Sequence, residues 1–142
     1  MTGSTDLARM LASLDAVVRD GEFVYATVAA GHPATARAHA VVVEEEGVTL
    51  VLPRPDADAL GVPYGFVAAW LTLTVHSSLE AVGLTAAFSR VLADAGISCN
   101  VLAGVHHDHL LVPAHERDRA LAALRSLRGP AGRPAEAGDR DD

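Results

Sequence analysis

Val67-Ala68-Ala69-Trp70-Leu71-Thr72-Leu73-Thr74-Val75 is an unbroken run of apolar residues and threonine. Its composition and length read as a strand. A polar loop follows, and then Gly83-Leu84-Thr85-Ala86-Ala87-Phe88-Ser89-Arg90-Val91-Leu92-Ala93-Asp94-Ala95-Gly96-Ile97. Leu84, Phe88, Val91, Leu92 and Ala95 fall at i, i+4, i+7, i+8 and i+11, which places them on one face of a helix ending at Ala95. Gly96 stands where helices commonly end in a left-handed residue, and Ile97 supplies the apolar contact that goes with that cap.

Working outward, Ser98 to Ala103 and His109 to Val112 read as strands, with Pro113 stopping the second. A last helix is expected over Ala114 to Leu127, packing Leu121, Leu124 and Leu127. Toward the N-terminus, Leu7, Met10, Leu11, Leu14 and Val17 or Val18 are spaced for an amphipathic helix over Asp6 to Arg19, closed by the turn dipeptide Asp20-Gly21. Glu22 to Ala29, His39 to Val43 and Val48 to Leu52 follow as strands. The run Glu44 to Glu46 is read as a solvated turn. Pro53, Pro55, Gly61 and Pro63 break the pattern and leave room for a short helical turn at Asp56 to Leu60. The division expected is 1–61 for a first half, 62–128 for a second, and 129–142 for a disordered tail poor in large apolar groups. Two incomplete units that exchange or share a strand would close one antiparallel sheet with helices on one face, an α+β, ferredoxin-like layout.

Composition narrows the function. The 142 residues are half apolar, enough for one core or two halves sharing one. The net charge is -7 and all 11 basic residues are arginine. That balance offers no basic surface for a phosphate backbone, so nucleic acid is not expected as a partner. The longest apolar run, Phe66 to Leu71, is far short of the roughly 20 residues of a membrane helix. Met1 to Asp15 carries Asp6 and Arg9 in place of a leader pattern, so a soluble, cytoplasmic protein is expected, with no membrane partner. The single cysteine, Cys99, excludes an internal disulfide and reads as a small apolar residue in a buried strand.

The phrases Glu44 to Leu52, Leu73 to Gly83, Gly83 to Ile97 and Ala103 to His109 resemble those of small bacterial ACT-domain proteins whose N-terminal half is a degenerate second ACT-like unit. Cytosolic arginine sensors are more distantly similar. The resemblance spans roughly Gly21 to Leu127. One departure is the loop Ser77 to Val82, longer than the usual ACT turn and without its proline. The resemblance implies a tandem ACT fold, a side-by-side homodimer, no cofactor, and a non-enzymatic regulatory role in which an amino acid lies against this loop. Gly83 and Leu84 are then the first ligand contacts, with Ser77, Ser78 and Val82 around them. Asn100 would serve the amino or carboxyl group, and Glu80 or Asp108 would pair with an ammonium or guanidinium. Free amides at the helix start suit a carboxylate there.

Each of these residues has a plainer reading. Ser77-x-x-Glu80 fits a capping box, and Gly83 serves tight packing as readily as ligand approach. His106-His107-Asp108-His109 raises a metal alternative, because strand alternation can place His107 and His109 on one face beside His76. No accompanying ligand motif supports it, and a polar turn is the simpler account, so no metal is assigned. The rivals to the sensor reading are therefore a ligand-free interaction module with the same fold and a histidine-dependent metal enzyme.

Overall fold

In the computed structural model, residues 6–129 are described; apart from Gly129, the expected tail lies outside them. The strand expected from the Val67 to Val75 run is there. β5 (Val67–Leu73) buries Ala68, Ala69, Trp70, Leu71 and Leu73, which sit on both of its faces. Along one edge it pairs with β7 (Asp108–Pro113), from Ala68 opposite Pro113 to Thr72 opposite His109. Its other edge is divided. β1 (Ala16–Val18) pairs with Leu71 to Leu73, and β2 (Phe23–Val28) pairs with Val67 and Ala68. With β3 (Ala40–Val43), β4 (Val48–Pro53) and β6 (Asn100–Ala103), the order is β3-β4-β2-β5-β7-β6, and every pairing is antiparallel.

This order resolves into two interlocked units. The first runs β2, a 3-10 turn at Pro33–Arg37, β3, β4, α2 (Arg54–Ala59) and β5. The second runs β5, α3 (Leu84–Asp94), β6, β7 and α4 (Arg117–Arg125), and takes β1 from the start of the chain as its last strand. Both show the strand arrangement fourth, first, third, second of the ferredoxin-like fold. β5 is the fourth strand of one unit and the first of the other. The sharing of a strand that the sequence called for is thus the device used.

The N-terminal segment departs from the expected helix. α1 covers only Leu7–Ala12, and the Ser13 hydroxyl turns back to the carbonyls of Arg9 and Met10. β-Branched Val17 and Val18 then enter β1, where residues of their type fit the pleated sheet better than a helix. Met10 and Leu14 still reach the core, so helical spacing was met by a helix followed by a strand. Between Val18 opposite Leu71 and Phe23 opposite Ala68, Arg19 to Glu22 face only Ala69 and Trp70. The surplus is absorbed as a bulge at Asp20 and Gly21, with Gly21 at φ 81°.

All helices pack on one face. On β5, Val67 contacts the cluster of Val24, Leu50 and Leu52 under α2, whereas Ala69, Leu71 and Leu73 contact Phe88, Leu92 and Leu124 under α3 and α4. Residues two apart on a strand share a side, so the two cores are continuous beneath one helical layer. The other face carries Phe23, Val51, Trp70 and Leu111. α3 ends as expected: Gly96 lies at φ 75°, its amide donates to Ala93, and the Ile97 amide donates to Leu92 at 2.9 Å.

Asp15 ties the two ends of the chain together. Its carboxylate accepts from Arg125 at 2.9 Å, from Arg128 at 2.7 Å and from the Ala16 amide at 2.8 Å. Burial pushes the Asp15 carboxyl upward, but the amide and the two guanidinium groups outweigh it and hold the pKa below its ordinary value. A lowered folded-state pKa stabilises the fold above the unfolded pKa of about 3.9 and ceases to do so as pH falls through the folded value. Asp15→Asn is expected to lower the unfolding free energy by about 1 kcal/mol near neutral pH, a modest figure because the carboxylate is partly exposed. In urea titrations the gap between parent and variant should close as the pH is taken below about 4.

Candidate functional site

β5 gives way at Thr74, whose amide donates to the Asp15 carbonyl at 2.9 Å, and Val75 then anchors the outgoing loop in the core. Ser77 is buried, 8 % exposed, and its hydroxyl donates to Oδ2 of Asp108 at 3.3 Å. This bond joins the loop before α3 to the start of β7. Ser78 Oγ accepts from the Glu80 amide at 3.1 Å, closing a local turn. The expected capping box is therefore not formed. α3 starts at Leu84 without any side-chain cap, and Ser77 is engaged with a residue 31 positions away.

Gly83 shows why the loop needs glycine. It lies at φ 105°, and a Cβ there would come within 2.8 Å of a Leu7 methyl from α1. Its carbonyl accepts the first bond of the helix, from the Ala87 amide at 2.9 Å. The amides of Leu84, Thr85 and Ala86 precede that bond and carry the positive end of the helix dipole.

Between the loop and the β6–β7 turn lies a pocket of about 80 Å³, walled by Ser77, Ser78, Leu79, Leu84, Thr85 and Asp108 and floored by Ala103 and Gly104. The structure thus brings together Ser77, Ser78, Leu84 and Asp108 of the residues singled out from sequence. Glu80, Val82 and Gly83 lie on the same loop but outside the pocket wall. Asn100 is not near it. It pairs with Leu111 on the helix-free face, where it borders a shallow groove with Tyr25 and Phe66. Thr85, Leu79 and the Ala103-Gly104 floor were missed; only Thr85, a polar residue one step inside a helix start, left a signal in the sequence. Chemically, the pocket lining combines residues of an uncapped helix start, Leu84 and Thr85, with the carboxylate residue Asp108.

The histidines do not assemble as strand alternation suggested. His107 precedes β7, and its ring lies 5.9 Å from that of His76, with His106 at 5.5 Å from His76. His109 points to the opposite face, where its Nδ1 accepts from Trp70 Nε1 at 3.2 Å. Among the described residues no group of three or more His, Cys, Asp or Glu side chains is arranged to hold a metal ion. His76 Nε2 is buried without a hydrogen-bond partner.

Sequence models of the ACT domain match residues 2–69 and residues 66–126. The chain belongs to the ACT-domain family. The two ACT matches overlap at residues 66–69, around the start of the shared strand. A Vibrio cholerae protein of unknown function, described as a possible transport protein, is 39% identical, with 88% of this chain and 98% of that one aligned at a TM-score of 0.79. An Agrobacterium tumefaciens protein is 16% identical over 82% of this chain and 90% of its own, at a TM-score of 0.63. The ligand-free regulatory subunit of aspartate kinase from Thermus thermophilus is 9% identical over 79% and 95%, at a TM-score of 0.60. The last two show likeness of fold. No curated protein matches the chain in sequence. Family membership supports a regulatory, ligand-binding role. Among the described residues no helix is long and apolar enough to cross a membrane.

Cys99 bears on catalysis. Burial pushes its thiol up to about 11, leaving almost no thiolate at neutral pH. Ellman's reagent at about pH 8 should react with it far more slowly in the folded protein than after unfolding in guanidinium; equal rates would show a reactive thiol.

Proposed function

We propose that this protein is a non-enzymatic regulatory sensor that holds a small amino acid in the pocket between the Ser77 loop and the β6–β7 turn. The supporting observation is that residues of the α3 start and Asp108 line one small space. The uncapped amides of α3 suit the α-carboxylate, and Asp108, oriented by Ser77, suits the α-ammonium. Glu80 stands outside the wall as a second acidic group toward solvent. No activated nucleophile accompanies them among the described residues, and the one thiol is suppressed.

The pocket is well below the roughly 300 Å³ of an enclosed ligand site, which fits one half of a site shared by two copies. Leu79, Val82 and Val105 are 64 %, 85 % and 64 % exposed on the surrounding loops. A homodimer in the cytoplasm that covers these side chains would exclude water and close the site. The same apolar rim supports the second reading, an interaction module that covers it with another protein and binds no ligand.

Thermal-shift measurements against the standard amino acids test the proposal. At least one small amino acid is expected to raise the melting temperature saturably, and Asp108→Ala should remove that rise while the unliganded protein still melts cooperatively. A folded protein that no amino acid stabilises would overturn the sensor reading in favour of the interaction module.

A further inference from the structure

The helix-free face carries a second cluster that the pocket does not use. Arg19 lies between β1 and the bulge, and its amide donates to the Trp70 carbonyl at 2.9 Å. Its side chain lies back across the indole, with the guanidinium carbon 4.0 Å from the ring centroid. Its Nη1 is 2.8 Å from Nδ1 of His39. A guanidinium only donates, so His39 Nδ1 must accept, which fixes a neutral ring protonated at Nε2. The same logic fixes His109, since the indole N–H that reaches its Nδ1 also only donates. Burial, followed by the nearby Arg19 charge, lowers the pKa of both histidines. Phe23 packs against His39 and Trp70 at centroid distances of 5.0 and 5.2 Å.

Arg19 is therefore a half-buried cation whose own side-chain contacts, Trp70 and His39, are neutral. Most of the other described arginines meet carboxylates, among them Arg54, Arg125 and Arg128 at 2.8, 2.9 and 2.7 Å. Arg19 has no carboxylate within 4.0 Å among the described residues, and its guanidinium N–H donors other than the one to His39 meet no protein acceptor there. An oriented, stacked guanidinium with its edge free is a receptor for a planar oxyanion.

We propose that Arg19 anchors a binding site, on the helix-free face, for the carboxylate of a small organic acid with an apolar body. The free edge of the guanidinium presents a fork matched to a carboxylate. One positive charge beside the neutral His39 imidazole matches a monoanion better than a phosphate dianion. Val17 pairs with Thr72, whose hydroxyl meets His109 on this face, and at 61 % exposed it offers an apolar seat for the rest of the ligand. The site lies across the sheet from the Asp108 pocket and does not depend on it.

Trp70 is the only tryptophan of the chain and touches Arg19 directly, so its emission reports the site. The full-length protein should be titrated with benzoate at constant ionic strength, exciting tryptophan alone, beside parallel titrations with benzyl alcohol and inorganic phosphate. The expected result is a saturable change with benzoate at on the order of 1 mM, none with benzyl alcohol, and a weaker response to phosphate. Arg19→Gln should weaken benzoate at least tenfold and Arg19→Lys by an intermediate amount, with melting curves confirming that both are folded; Asp108→Ala should leave the titration unchanged. No saturable response, equal responses in the parent and in a folded Arg19→Gln, or phosphate binding tighter than benzoate would each overturn the proposal.

Discussion

The hydrogen bonding of β5 constrains everything else in this molecule. A strand has two edges, and here one edge is filled by β7 while the other is split between β1 and β2. Neither unit has a complete sheet without it. Its two faces are committed as well, with Ala69, Leu71 and Leu73 under the helices and Ala68 and Trp70 toward the open face. A residue exchanged on β5 therefore disturbs both units together. The bulge at Asp20 and Gly21 follows from the same constraint, because one passage of chain must pair in two registers with a single strand.

That arrangement also separates the two chemistries. Strand alternation sends Asp108 and His109 to opposite sides of the sheet. The first then meets the Ser77 loop and the start of α3, and the second meets Trp70 and Thr72. The helical side thus has a helix terminus to offer, and with it a dipole and unpaired amides. The open side has no helix and relies on the side chains of Arg19, His39 and Trp70.

What could be read from the sequence was what is decided locally. Val67 to Val75 showed a strand by composition, and Gly96-Ile97 marked the end of α3 because that cap is built within one turn. The errors arose where a distant partner decides. Met10, Leu14 and Val18 keep helical spacing, yet Val18 is claimed by Leu71, far along the chain. Ser77 and Glu80 have the spacing of a cap, yet the Ser77 hydroxyl is taken by Asp108. His107 and His109 alternate only if both lie in one strand, and β7 begins between them. The pocket was half legible for the same reason: its loop is contiguous, but its floor at Ala103 and Gly104 and the Arg19 cluster exist only once the sheet has formed.

Whether the two units stand or fall together is measured most directly by unfolding the intact chain in urea, followed by both Trp70 emission and far-ultraviolet circular dichroism. Leu50→Ala in the first unit's core and Phe88→Ala in the second's serve as paired probes. A shared β5 predicts one transition, coincident by both signals, that either substitution shifts as a whole by about 2–5 kcal/mol. Two separable transitions, with each substitution moving only its own, would contradict the account.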